Sequence, residues 1–486
     1  MLRCLVAGGL AGGSVTASAD AFDHDWCGVE TDQFRLLSDA PRADIEAMVE
    51  LLRRFRPAAE RYLPGTANAD DPPLTILVFR GVRDFRRAIG NRVMVGYMQP
   101  SFTDNLMVVG PDPHADGEHE SLLHEYVHYL LRTRQDINLP TWFDEGLAGM
   151  LSSARVQAEG VVIGDLPEPL IRRGIEEAGL TVADVVEAED IWDWPRARIR
   201  GFYDLSRLLV HRLLLGQSGG QDDWREALAS YLSGSTPALF DALDVSPARL
   251  QRQLLRYLKR PGAMVEPVEL PPAGAAPYRC LPESDKTRQL ALAVVQQNPD
   301  LAAERLRGAL TDRGDDPDLW IALSLAEESR DAREAALEAA RRAVALAPDD
   351  VATATRLAGA LAMGCILEVS TECRARWQEA VPLLRAALRR DPQRQDAIFI
   401  LGLAYLYSGR PGDALNYLRI AHRRQPWAPQ LNFYLGESYR LIGDSRAGAH
   451  LERARRWSPN ELWRRLAEAG LERLAAPDTA PAPDHT

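Results

Sequence analysis

Two histidines four positions apart bracket a glutamate in the run His124-Glu125-Tyr126-Val127-His128. On a helix, residues i and i+4 leave the same face about one turn apart, so both imidazoles can reach a single ion. Zn²⁺ binds imidazole nitrogen at about 2.0–2.1 Å, usually with tetrahedral geometry. Glu125 would point to the adjoining face, near the metal without competing as a ligand, and could take a proton from a water the metal activates. With 9 His in 486 residues, chance supplies this three-residue pattern about 0.01 times over the whole chain. Leu122, Leu123, Val127, Leu130 and Leu131 give the helix its apolar period. The bland alternative is a helix with two surface or capping histidines and a solvated glutamate.

That alternative weakens downstream. Past the polar residues 132–138, Leu139-Pro140-Thr141-Trp142-Phe143-Asp144-Glu145-Gly146-Leu147-Ala148 opens a second helix, with Pro140 and Thr141 near its start. Glu145 follows His128 by 17 positions, enough for the chain to reverse and return a carboxylate. Two histidines, one carboxylate and a position left for water form a catalytic zinc set. One Zn²⁺ per chain is therefore expected, held by His124, His128 and Glu145.

The pair HEYVH and PTWFDEGLA resembles the gluzincin metallopeptidases, in particular those with a peptidase MA-like domain, over roughly residues 28–260. The resemblance implies that His124, His128 and Glu145 bind zinc and that Glu125 acts as general base and then acid. It also implies an oxyanion donor on a later helix, where Tyr203 stands in Gly201-Phe202-Tyr203-Asp204-Leu205-Ser206-Arg207. By residue type alone, Tyr203 is equally a half-buried helix tyrosine. In this family the last strand before the zinc helix is an edge that pairs with extended substrate; Leu106 to Val109 is expected in that role. Many gluzincins carry an acidic residue one turn beyond the glutamate ligand, but Gly149 stands there in this chain. Asp144 or a backbone carbonyl must then orient a histidine. The G-x-M-E-N element of the zinc aminopeptidases is absent, so endopeptidase action is expected. His211 is expected to be structural, and neither His114 nor His119 is expected to bind metal.

The elements that must position these residues follow from periodicity. Phe34 to Leu37 predicts a strand, and Pro41 opens an amphipathic helix with Ile45, Met48, Leu51, Leu52 and Phe55 on one face. Leu74 to Phe79 predicts a buried strand; Val95 to Met98 and Leu106 to Val109 predict two more. Helical periodicity dominates from Glu118 to about Tyr257. The amino-terminal domain, 28–260, is thus expected to be α+β and zincin-like. Residues 261–279 are proline-rich and predict a linker.

Beyond the linker the sequence repeats. Ala336, Ala343 and Pro348 recur as Ala380, Ala387 and Pro392, then Ala414, Ala421 and Pro426, then Ala447, Ala454 and Pro459. The prolines stand 44, 34 and 33 residues apart, where ~34 is the tetratricopeptide period. Residues 317–460 therefore resemble the tetratricopeptide repeat family. That implies an all-α solenoid over 287–476 that binds a protein partner. Ser324 and Glu327 replace the usual Gly and Tyr of the first repeat. Residues 477–486 read as a disordered tail.

Lys+Arg 57 against Asp+Glu 69 gives a net charge of -12, which excludes a general phosphate-backbone binder, so no nucleic acid is expected. Residues 1–19 read as a secretory signal: Arg3, an apolar run from Leu5 to Val15, then Ala17-Ser18-Ala19. Export to a periplasmic or extracellular compartment is expected, with a cytoplasmic location as the alternative. No other segment approaches ~20 apolar residues, so no integral span is expected beyond the signal. Removing Cys4 leaves Cys27, Cys280, Cys365 and Cys373. Cys365 and Cys373, eight residues apart, are the first pair expected to bridge, and four free or buried thiols are the alternative. The functional expectation is a zinc-dependent peptidase acting on polypeptide, its repeat domain binding substrate or partner. The alternative is a non-enzymatic scaffold or assembly factor with a metal-stabilised or vestigial zincin domain.

Overall fold

The computed structural model describes residues 20–475 apart from 68–72, 92–93, 100, 102–103, 112–118, 136–138, 158–159, 189–190, 192–193, 217–223, 234, 237, 260–263, 269–276, 363–364, 366–369, 427 and 459–460. The expected signal segment, His114 and the expected tail lie outside the described residues. In chain order the strands are β1 (Cys27–Glu30), β2 (Arg35–Ser38), β3 (Thr66–Ala67), β4 (Leu74–Val78), β5 (Gly96–Gln99), β6 (Asn105–Val109), β7 (Arg134–Gln135), β8 (Arg155–Gln157), β9 (Gly160–Ile163), β10 (Met264–Glu266) and β11 (Tyr278–Cys280). Helices of the first half are α1 (Arg42–Ala59), α2 (Val82–Ile89), α3 (Glu120–Arg132), α4 (Thr141–Ser152), α5 (Glu168–Ala178), α6 (Val182–Val186), α7 (Arg196–Leu215), α8 (Arg225–Leu232), α9 (Leu239–Ala242) and α10 (Pro247–Tyr257).

Six strands form the main sheet in the order β11-β1-β2-β4-β6-β5. β2, β4 and β6 run parallel, and β5 returns antiparallel to β6. The apolar runs of β4 and β6 suit the interior of a sheet covered on both faces. Side chains alternate accordingly. Leu36, Ile76 and Met107 pack with α1, α3 and α4, whereas Leu37, Leu77 and Val108 pack on the opposite face. Pro41 caps α1 as expected, and its buried face carries Ile45, Met48, Leu52 and Phe55.

Three expectations are corrected here. Leu106 to Val109 is not the edge: β6 is buried along its length between β4 and β5. The half-buried β5 takes the edge instead, because the β5–β6 hairpin folds back on its outer side. Helical periodicity does not run unbroken to Tyr257, since β8 and β9 form a hairpin joined by β10. Finally, the stretch expected as a linker contributes β10 to that small sheet and β11 to the main one. A disulfide between Cys27 and Cys280 pins β11 to β1.

The second half is a run of paired helices: α11 (Glu283–Val294) with α12 (Pro299–Asp312), α13 (Pro317–Ser329) with α14 (Arg333–Leu346), α15 (Val351–Ala362) with α16 (Thr371–Arg390), α17 (Gln395–Tyr407) with α18 (Pro411–Arg424), α19 (Pro429–Leu441) with α20 (Ala447–Trp457), and then α21 (Glu461–Ala475). Each pair packs against the next, as a tetratricopeptide solenoid requires. A Cβ on Gly402 or Gly436 would meet Leu418 or Leu451 at 2.8 and 2.6 Å, so glycine sets the helix spacing within those two pairs. In the first repeat Ser324 instead donates to the Ala336 carbonyl at 2.8 Å, and Glu327 is paired with Arg307 and Arg330. Cys365 and Cys373 are bonded between α15 and α16.

The halves share a core. Phe79, Phe85, Ile89 and Val108 pack with Leu290, Val294, Leu306 and Leu319 of the first helix pairs. Asn298 caps α12 by accepting from Leu301 N–H and donates to the Ala88 carbonyl at 3.1 Å.

Candidate metal centre

α3 carries His124, Glu125 and His128; α4 carries Asp144 and Glu145. Trp142, Phe143, Leu147 and Ala148 bury one side of α4, which packs against both α3 and α7. Gly146 allows the approach to α7: a Cβ there would lie 2.5 Å from the Ser206 carbonyl oxygen.

This packing brings His124, His128 and Glu145 together. The two Nε2 atoms are 3.1 Å apart, and Glu145 Oε2 lies 3.3 Å from His124 Nε2 and 3.4 Å from that of His128. Donors bound at about 2.0–2.1 Å to the corners of a tetrahedron stand about 3.3–3.4 Å apart, so the spacing fits zinc. Glu145 Oε2 is buried and accepts no hydrogen bond among the described residues, and such an orphaned carboxylate oxygen calls for a cation. The donor set and the orphaned oxygen thus suit the metal expected here.

The second partner of His128 is Asp144, whose Oδ1 lies 2.8 Å from Nδ1. This is one of the two alternatives open at Gly149. Consecutive residues of one helix thus flank one imidazole, Asp144 at Nδ1 and Glu145 at Nε2. Holding Nδ1 directs the other nitrogen to the metal position. Gly149 itself lies against the stem of Arg207, with a Cβ there 3.5 Å from Arg207 Cβ.

The electrostatics favour positive charge at this point. Burial would lower the pKa of His128, but the Asp144 and Glu145 carboxylates outweigh it and hold it well above the ordinary value. Burial would raise Glu145, but His128 and His124 outweigh it and hold Glu145 well below the carboxylate range.

Glu125 faces β5. A Cβ on Gly96 would stand 2.7 Å from Glu125 Cγ and 3.1 Å from Oε1. Gly96 thus makes room for the carboxylate, a role that no motif in the sequence announced. Tyr203, on α7, is pushed up by burial and then by the charges of Glu145, Glu125 and Asp144, so its phenol stays protonated.

His211 accounts for itself structurally: Nε2 lies 2.8 Å from the Gly164 carbonyl and Nδ1 2.8 Å from the Tyr257 hydroxyl. His119 occupies the N-cap position of α3, with no capping hydrogen bond from its side chain, and lies outside the donor group. His24, Asp39 and Asp84 form another cluster. Its Asp39 already binds His24 and the Arg80 N–H.

The sequence matches no protein-family profile and no curated protein. Among solved structures it is similar to TTC0263, a thermophilic TPR protein of Thermus thermophilus, at 21% identity over 39% of this chain and 99% of that one, TM-score 0.34. It is also similar to MamA of AMB-1, at 24% identity over 36% and 96%, TM-score 0.29. YrrB, described as a TPR protein with an unusual peptide-binding site, is 15% identical over 38% and 92%, TM-score 0.29. These likenesses extend over little more than a third of the chain, and the repeat assignment rests on the helix pairs themselves.

Proposed function

We propose that this protein is a zinc-dependent peptidase of the gluzincin type whose repeat array binds polypeptide. The observation that carries the reading is the convergence of His124 Nε2, His128 Nε2 and the orphaned Glu145 Oε2, with Glu125 next to His124 on the same helix and its carboxylate against Gly96 of β5. A zinc ion in that set would supply Lewis acidity toward a scissile carbonyl and acidify water. The chain's own groups do the rest. Glu125 accepts a proton from the attacking water and returns it to the leaving amine. Tyr203, kept protonated, is suited to donate to the developing oxyanion. Asp144 fixes the ring of His128. The β5 edge offers its backbone to an extended substrate. Two disulfides support an exported location. Among the described residues no helix is long and apolar enough to cross a membrane.

The test is Glu125→Gln. Hydrolysis of a peptide library should fall by at least about 100-fold while one zinc per chain remains bound; undiminished hydrolysis would refute the reading. The repeat array favours a second reading, a protein-binding scaffold with a metal-stabilised first domain. That reading expects no Glu125-dependent cleavage of any polypeptide.

A further inference from the structure

β5 touches both the zinc helix and the repeat array. Its side chains alternate: Gly96 lies against Glu125 and Met98 packs on the zinc side, whereas Tyr97 packs on the array side. The Tyr97 hydroxyl donates to the Ala293 carbonyl of α11. Just past the strand, the Ser101 carbonyl accepts from Gln425 Nε2 at 2.7 Å, at the end of α18. The first helix of the array and a turn four pairs along therefore both meet this one short segment. No described strand pairs with the outer side of β5.

Resting on the peptidase reading, we infer that the repeat array is the second wall of the substrate cleft, and that the cleft takes an unfolded polypeptide chain added as a strand to β5. Alternation within a strand then decides what reads the substrate. Side chains on one face of the added strand meet the zinc domain, and those on the other meet the array. A folded protein has most of its strands already paired and offers few extended segments to such a slot. The open edge supplies the backbone partner, and continuity with Glu125 brings the chain to the reacting groups.

The full-length Glu125→Gln protein tests this by binding. The probe is a reduced, carboxymethylated protein carrying photoreactive methionine analogues. Cross-links are expected both within 94–101 and within the array, at α11 and 411–430. Cross-links confined to one wall, or equal cross-linking by the same protein with its disulfides intact, would overturn the inference. Wild-type enzyme should cleave the unfolded form at least about tenfold faster than the disulfide-intact form; equal rates count against it. Short-peptide hydrolysis reports separately on the chemistry. If it proves independent of Glu125 the peptidase reading falls, while the cross-link pattern still decides whether the two walls share one polypeptide.

Discussion

At the residue scale, the proposed centre depends on side chains outside the donor set. Gly96 leaves no space for a methyl group beside Glu125, so Gly96→Ala should displace the proposed base without touching the proposed ligands. Kinetics should show kcat reduced by about 10- to 100-fold, since small misplacements cost that much, with zinc content unchanged. A Gly96→Ala enzyme of wild-type kcat would show that Glu125 is not held there. Asp144 makes a different prediction. Asp144→Asn removes the charge at His128 Nδ1 and should weaken zinc by about 10- to 100-fold in a chelator competition. An unchanged affinity would assign the orienting role elsewhere.

At the element scale, the packing of α4 on α3 and α7 is what converts two sequence motifs into one site. The same helix α7 contains a pH-sensitive contact in its interior. Burial pushes His211 down to about 4, below the ordinary imidazole value of 6.5. Between these values the unfolded chain binds more protons than the folded one, so stability rises with pH across that window. The contribution is complete above about 6.5, falls as pH drops, and amounts at most to about 3 kcal/mol. Denaturation at pH 7.5 and at pH 5 should show a steeper acid loss for wild type than for His211→Gln, by about 2 kcal/mol. Parallel profiles would mean that His211 is not held neutral.

At the scale of the whole molecule, β11 and the Cys27–Cys280 bridge close a 253-residue span around the first domain, whereas Cys365–Cys373 closes only 8. In the chain-entropy account the long loop is worth about 5 kcal/mol and the short one about 2.5. The Cys27→Ser/Cys280→Ser pair should therefore lose more stability than Cys365→Ser/Cys373→Ser in non-reducing denaturation. A larger loss from the short loop would contradict this. The shared core beneath the sheet ties the first two helix pairs of the array to the first domain.

Local signals were enough to expose His124, Glu125, His128 and Glu145, the α1 face and the repeat period, because each is written in spacing along a single element. Ser324 and Glu327 broke the repeat pattern, yet the pair formed, since a hydrogen bond and two ion pairs serve where Gly and Tyr usually pack. What spacing could not reveal was order across the sheet. Whether β5 or β6 lies outermost depends on which way a hairpin folds back, and both segments read simply as strands. The role of Gly96, the return of β11 to β1 and the contact of Gln425 with Ser101 are long-range pairings, invisible to any local period. Residue order was sufficient to pick out the three side chains that converge and the glutamate between the two histidines. Which strand Glu125 faces, and where the array meets that strand, came from packing in three dimensions, because both depend on contacts between residues far apart in the chain.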